Sequence, residues 1–180
     1  MRPRNNASRG YSIIEILVVV AIIGILSLVT VPAFINFQRS NAVKAQLRSF
    51  TSDIRNCRQR AISRNSEVRL ELDSQTVYRF YEKPNAGVWG ALNGFSGTGP
   101  SRNQKKLDKD IGFFANTLGD TDSNGKNDMV FRPDGTVNVG TAGAPPGTIT
   151  LMSNWRNIAQ NKFLITVSTS GKLTTAGSHS

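Results

Sequence analysis

Arg9–Val31, RGYSIIEILVVVAIIGILSLVTV, is the stretch that decides the fold. From Ile16 to Val31 the chain is almost wholly apolar, yet Glu15 stands at the head of the run. A carboxylate near the end of a membrane helix is costly, and such residues mark a function with a partner to be found. The preceding leader holds Arg2, Arg4 and Arg9 and no acid. A secretory signal starts in the same way, but it ends in small residues of the A-x-A type, and none follow this run. The natural break therefore lies ahead of the apolar segment, between Gly10 and Tyr11. Three leader arginines orient that end toward the cytoplasm and place the rest of the chain beyond the inner membrane.

Gly10, the aromatic Tyr11, Glu15 and the run I-L-V-V-V-A-I-I-G-I-L resemble the class III signal of type IV pilins and type II secretion pseudopilins. The resemblance implies cleavage after Gly10 by a prepilin peptidase and methylation of the new terminus at Tyr11, where the family usually has Phe. It also implies lodging in membrane lipid before assembly, passage through an inner-membrane assembly platform, and partners among other pilins or pseudopilins. Glu15 is then the assembly residue, meeting the free amine of its own or a neighbouring subunit. A charge pair inside an apolar bundle fixes register more than it adds stability.

Composition bounds the remainder. With 180 residues, the chain has room for one modest domain beyond its first helix. Twenty-two basic residues against twelve acidic give +10, and loss of the three leader arginines leaves +7. Such a balance suits nucleic acid, anionic headgroups or an acidic protein, and is silent about fold. Cys57 is the single cysteine, so no internal disulfide forms and stability comes from packing.

Helical patterning continues past the apolar run. Gly24 and Pro32 are expected to interrupt it, because a proline inside a helix removes a hydrogen bond and kinks the rod. In pilin-like subunits residues at such places coincide with a stretch that unwinds in the filament. Farther on, Val43, Leu47, Phe50, Ile54, Cys57 and Ala61 recur at spacings of three and four, which draws one apolar stripe for a sheet to cover. Cys57 lies on that stripe and reads as a small core residue. Lys44, Arg48 and Arg55 follow one line on another face, read as a solvated surface, with phosphate or acidic neighbours as the functional alternative. Continuous from Tyr11 to Asn65, such a helix would extend roughly 80 Å.

Beyond it the pattern turns to strands. EVRLELD, Glu67–Asp73, alternates apolar and charged residues as a half-buried strand does, and Ser74-Gln75 turns the chain into a second strand over Thr76–Glu82. The corner A-I-S-R-N-S-E-V-R-L, with M-V-F-R-P-D-G-T-V at Met129–Val137 and I-T-V-S-T-S-G-K-L at Ile165–Leu173, resembles the narrower minor pseudopilin H and minor pilin T/U family. Each later piece reads as strand, glycine turn and return strand. The expected fold is α+β: leader 1–10, membrane or filament-core helix 11–35, amphipathic helix 36–65, and an antiparallel β domain 66–180. A long loop is expected at 84–106, where Trp89 and Phe95 read as anchors beneath it or, alternatively, as contacts for a partner or a base.

One chemical motif stands apart. Asp120, Asp122, Asn124, the Lys126 carbonyl and Asp128 place oxygens at alternate positions around Gly125, like the first half of an EF-hand calcium loop. The twelfth position is Phe131 rather than glutamate, so a calcium ion there needs a ligand from elsewhere or from water. The competing reading is a solvated turn; no cofactor is required by the fold. His179 is the single histidine, and with no Cys cluster or P-loop no catalytic site is expected. The functional reading is a structural minor pilin or pseudopilin of a pilus or secretion filament. The alternative is a DNA-capturing pilin, with Lys44, Arg48, Arg55, Arg102, Lys105 and Lys106 as phosphate contacts.

Overall fold

The computed structural model describes residues 11–84, 87–92, 103–108, 110–121, 123–140, 146–153 and 162–177, apart from the side chains at 29, 32, 33 and 36. Gly10, Phe95, Arg102, Asp122 and His179, singled out above, lie outside the described residues. Two compact units divide the chain, Met1–Asn41 and Ala42–Ser180. The division falls six residues beyond the boundary expected at 35/36.

Helix α1, Ile13–Arg64, contributes to both. Ser12, a residue type favoured just ahead of a helix, accepts the first two amide bonds through its carbonyl, from Glu15 (3.0 Å) and Ile16 (3.3 Å). The helical assignment passes through Gly24 and Pro32, so the interruption expected there is not a break in the isolated chain. At its far end Asn65 adopts φ +49°, which Asn tolerates better than most residues. The Ser66 amide then reaches back to Ala61 O and the Asn65 amide to Ile62 O, satisfying two of the last carbonyls and turning the chain into the first strand.

In the second unit that strand, β1 (Glu67–Leu72), lies in the middle of a sheet of order β3-β2-β1-β6-β7. Its neighbours are β2 (Val77–Lys83), β6 (Asp128–Phe131) and, beyond them, β3 (Gly90–Ala91) and β7 (Val137–Asn138). A further strand, β4 (Gln104–Lys106), also pairs with β2. The second sheet has order β10-β9-β8-β5, from β5 (Ile111–Asn116), β8 (Gly147–Ser153), β9 (Lys162–Val167) and β10 (Leu173–Gly177). Every pairing is antiparallel. The three hairpins expected at 67–82, 129–137 and 165–173 are β1–β2, β6–β7 and β9–β10. Segment 84–106, expected as loop, instead supplies β3 and β4.

The helical stripe forms the core with both sheets. Val43, Phe50, Ile54, Cys57 and Ala61 are buried, and Leu47 packs against them. Phe50 is the joint: its ring lies 5.0 Å from Tyr78 of β2, edge-on, and 5.2 Å from Phe113 of β5. Such ring pairs contribute about 0.5–1.5 kcal/mol each beyond their area. Burial pushes the Cys57 thiol well up, with Asp53 adding to it, as befits an inert core residue.

β1 departs from the half-buried expectation. Val68, Leu70 and Leu72 face the core as read, but Arg69 and Glu71 on the other face are 5% and 2% exposed. A second layer of charge and aromatic rings covers them.

Candidate assembly surface and buried charge sites

Every described side chain from Tyr11 to Leu28 is exposed, with Ile13 at 83% and Leu28 at 77%. Burying one such aliphatic side chain is worth about 1.5–3 kcal/mol, and a helix apolar on all sides belongs inside something. Glu15 sits in the first turn of α1, where a carboxylate complements the helix dipole. Among the described residues no helix is long and apolar enough to cross a membrane. The fully described apolar stretch, Ile13–Leu28, reaches about 24 Å against the roughly 30 Å of a hydrocarbon core.

Of the six basic residues read as phosphate contacts, Arg102 lies outside the described residues and the other five do not share one exposed face. Arg48 and Arg55 are exposed on α1 and Lys44 is half-buried, along one line as expected. Lys105 is turned inward: its ammonium donates to both Asp53 oxygens, at 2.7 and 2.9 Å. Asp53, 3% exposed, also accepts from Tyr78 Oη at 2.8 Å. Lys106 is exposed at the end of β4. The Asp53 site was readable: three residues after Phe50 and four before Cys57, an aspartate on the apolar stripe requires a buried partner.

On the outer face of the first sheet lies the layer that covers β1. Register sets Arg69 beside Tyr81 and Glu71 beside Arg79, with Asp128 across from Glu71 on β6. The Arg69 guanidinium stands 4.8 Å from the Tyr81 ring centre and 4.7 Å from that of Trp89, which fastens Trp89 to the sheet. Arg69 lies 3.7 Å from Glu71 and 3.8 Å from Asp128. Arg79 pairs with Asp73 at 2.9 Å. Lys126 donates to Asp73 and lies 3.5 Å from Glu71; the Asp73 bond holds its ammonium above the ordinary value. Three cations thus face three carboxylates, which allows the burial without a net charge. Charged residues at alternate positions of adjacent strands were the sequence signal, legible only once the pairing is known.

This layer also holds the loop read as a calcium motif. Asp120 accepts from the amides of Asn124 (3.2 Å) and Gly125 (2.6 Å). Asn124 accepts from the Lys126 amide at 2.8 Å and donates to Glu71 at 3.0 Å. Asp128, fully buried, accepts from the Thr121 amide (3.1 Å) and hydroxyl (2.6 Å). These oxygens accept from donors of the chain, and among the described residues no group of three or more acidic, His or Cys side chains is placed to hold a metal. The arrangement ties the loop to the sheet.

The model of the type II transport protein GspH family matches residues 46–171, well over half of the chain. The chain belongs to the GspH family. The prokaryotic N-terminal methylation motif matches residues 5–31, which include Gly10, Tyr11 and Glu15. Two structures of the minor pseudopilin EpsH from the type 2 secretion system of Vibrio cholerae share the fold. One has TM-score 0.55 at 15% identity over 75% of this chain and 96% of that one; the other has 0.56 at 13% over 77% and 97%. The minor pilin FimU of Pseudomonas aeruginosa matches with TM-score 0.50 at 14% identity, over 78% and 92%. No curated relative matches the sequence. As a GspH-family chain with a pilin-like fold, the protein is a structural subunit of the minor pseudopilin or minor pilin class, which assembles with other pilins.

Proposed function

We propose that this GspH-family subunit enters its filament through Tyr11–Ile35 after a prepilin peptidase cuts at Gly10 and methylates Tyr11. The observation that carries the reading is the fully exposed apolar helix from Ile13 to Leu28, headed by Glu15 and lying inside the matched methylation motif. Before assembly the segment rests in the inner membrane with the second unit in the periplasm. The apolar run reaches a full crossing when residues up to Ile35 are included. On extraction through the assembly platform the helix exchanges lipid for neighbouring helices, and Glu15 is neutralised by an amine. Gly24 and Pro32 mark where α1 loosens under that packing. Phosphate capture gains no support, since Lys105 is spent on Asp53.

The test compares Glu15→Leu with wild type in a host assembling the filament. Leucine leaves membrane insertion and Gly10 cleavage intact, both read by gel mobility in membrane fractions. Incorporation into sheared filaments should fall at least about tenfold, the effect of removing one buried charge partner. Wild-type incorporation of Glu15→Leu would refute the assembly role.

A further inference from the structure

We propose that a groove between the end of α1 and the β9–β10 turn docks an acidic protein segment carrying one apolar anchor. The groove has a volume of about 490 Å³, with Arg55, Arg58 and Ile62 on the helical wall and Gly171, Lys172 and Leu173 on the other. Its floor is apolar: Ile62 is 51% exposed, and Leu173 is half-buried against the core. None of the described lining residues is acidic.

The wall is fixed in advance. Arg58 donates Nε to Gly135 O and Nη2 to Ser170 O, both at 3.0 Å, and Nη1 to Gly171 O at 3.4 Å. Gly171 has φ +75°, and a Cβ there would lie 2.6 Å from Arg58 Nε, so only glycine lets the turn seat on the helix. A preformed groove spares a ligand the cost of ordering it.

Charge decides the occupant. Arg55 continues the line of Lys44 and Arg48 into the groove, and Lys172 is exposed on the opposite wall. Six of the twelve acidic residues, Asp53, Glu67, Glu71, Asp73, Glu82 and Asp128, are already paired to cations of the chain. The surface is therefore short of negative charge. A second copy of this basic chain is repelled, and a phosphate backbone has no use for Ile62 and Leu173. An acidic polypeptide with an aromatic or aliphatic side chain satisfies both walls and floor. Its assignment to a neighbouring filament subunit rests on the proposed function; the chemistry of the groove does not.

The test uses the full chain in neutral detergent and a short fluorescein-labelled peptide, acidic with one central Phe. Controls are its Gln/Asn counterpart, a Phe→Ser version and a short DNA duplex. Anisotropy should report saturable binding of the acidic Phe peptide alone, weakened at least about fivefold by Arg55→Gln or Lys172→Gln and lost in Ile62→Asp. Circular dichroism confirms that these surface variants are folded. The proposal is overturned by no binding up to about 1 mM, by equal binding of the neutral peptide, by indifference to all three variants, or by DNA binding with the same sensitivity. A photo-crosslinker at Ile62 in filament-assembling cells should join an acidic segment of a different subunit; self-crosslinking overturns the choice of occupant. Peptide binding by a chain whose incorporation ignores Glu15→Leu would sink the assembly reading and leave the groove assignment standing.

Discussion

Replacing Lys105 by methionine keeps the aliphatic stem and removes the cation that Asp53 receives. Asp53 then stays in the core with the Tyr78 hydroxyl donating to it, held protonated because burial and the Asp53 charge push its pKa well up. Breaking a buried ion pair from one side costs about 3–5 kcal/mol. The Lys105 side chain is 20% exposed, so water takes over part of its role and the expected loss is nearer 2 kcal/mol. For a unit spanning Ala42–Ser180 this lowers the melting temperature by roughly 6–8 °C. Asp53→Leu with Lys105→Met removes the stranded carboxylate and should recover part of the loss, leaving about 1 kcal/mol for the unpaired Tyr78 hydroxyl. Adding Tyr78→Phe should bring stability close to wild type. Urea unfolding of wild type, Lys105→Met, Asp53→Leu and their double variant, followed by tryptophan fluorescence, gives the Asp53–Lys105 coupling, expected at about 1.5 kcal/mol or more. A coupling near zero, or a Lys105→Met variant as stable as wild type, would refute the pair and return Lys105 to the surface as a candidate contact.

Acid should loosen the corner where α1 meets β1. Burial favours protonated Glu82, but hydrogen bonds from Ser66 and Arg60 and the charges of Arg60 and Arg64 outweigh it, holding the carboxyl below its ordinary 4.5. Because the folded state binds this proton less tightly than the unfolded chain, the contribution is complete above about pH 4.5 and disappears as pH falls through the folded value. Urea midpoints measured from pH 6 to pH 3 should therefore decline, with a shallower slope in Glu82→Gln; identical slopes would remove Glu82 as a cause. For the calcium expectation at Asp120–Asp128, titration calorimetry on the folded chain is the direct measurement. With Asp120 and Asp128 already engaged by the chain's own donors, no saturable heat is expected below about 1 mM calcium. Micromolar binding, lost in Asp122→Ala, would show that the loop regroups around the ion.

What could be read without coordinates was local. The stripe from Val43 to Ala61 repeats every three or four residues, so its burial follows from helix geometry alone. The hairpins announce themselves through turn residues such as Gly135 and Gly171, both at positive φ. Strand β8 carried no comparable flag. Its pattern of alternating burial, GTITLMS, depends on β5 and β9 lying on either side, and nothing near it in sequence says so. The buried face of β1 was missed for the same reason. Arg69 and Glu71 read as solvated until strand register brings Tyr81, Arg79 and Asp128 beside them. The Lys105–Asp53 pair was illegible because its members lie fifty-two residues apart.

The chain leaves α1 at Asn65 and enters β1, which is flanked on both sides, pairing with β2 from Glu67 to Leu72 and with β6 from Val68 to Glu71. The covalent connection from the helix into the sheet therefore runs through an inner strand rather than an edge. Once the packed stripe of the helix is drawn off the core, further rupture would have to shear two ladders together instead of peeling bonds one after another. Forced unfolding is governed by the unfolding rate, and a subunit loaded through its helix would be protected by this placement. Its mechanical strength can be tuned by the β1 ladders without altering the helix that carries the load.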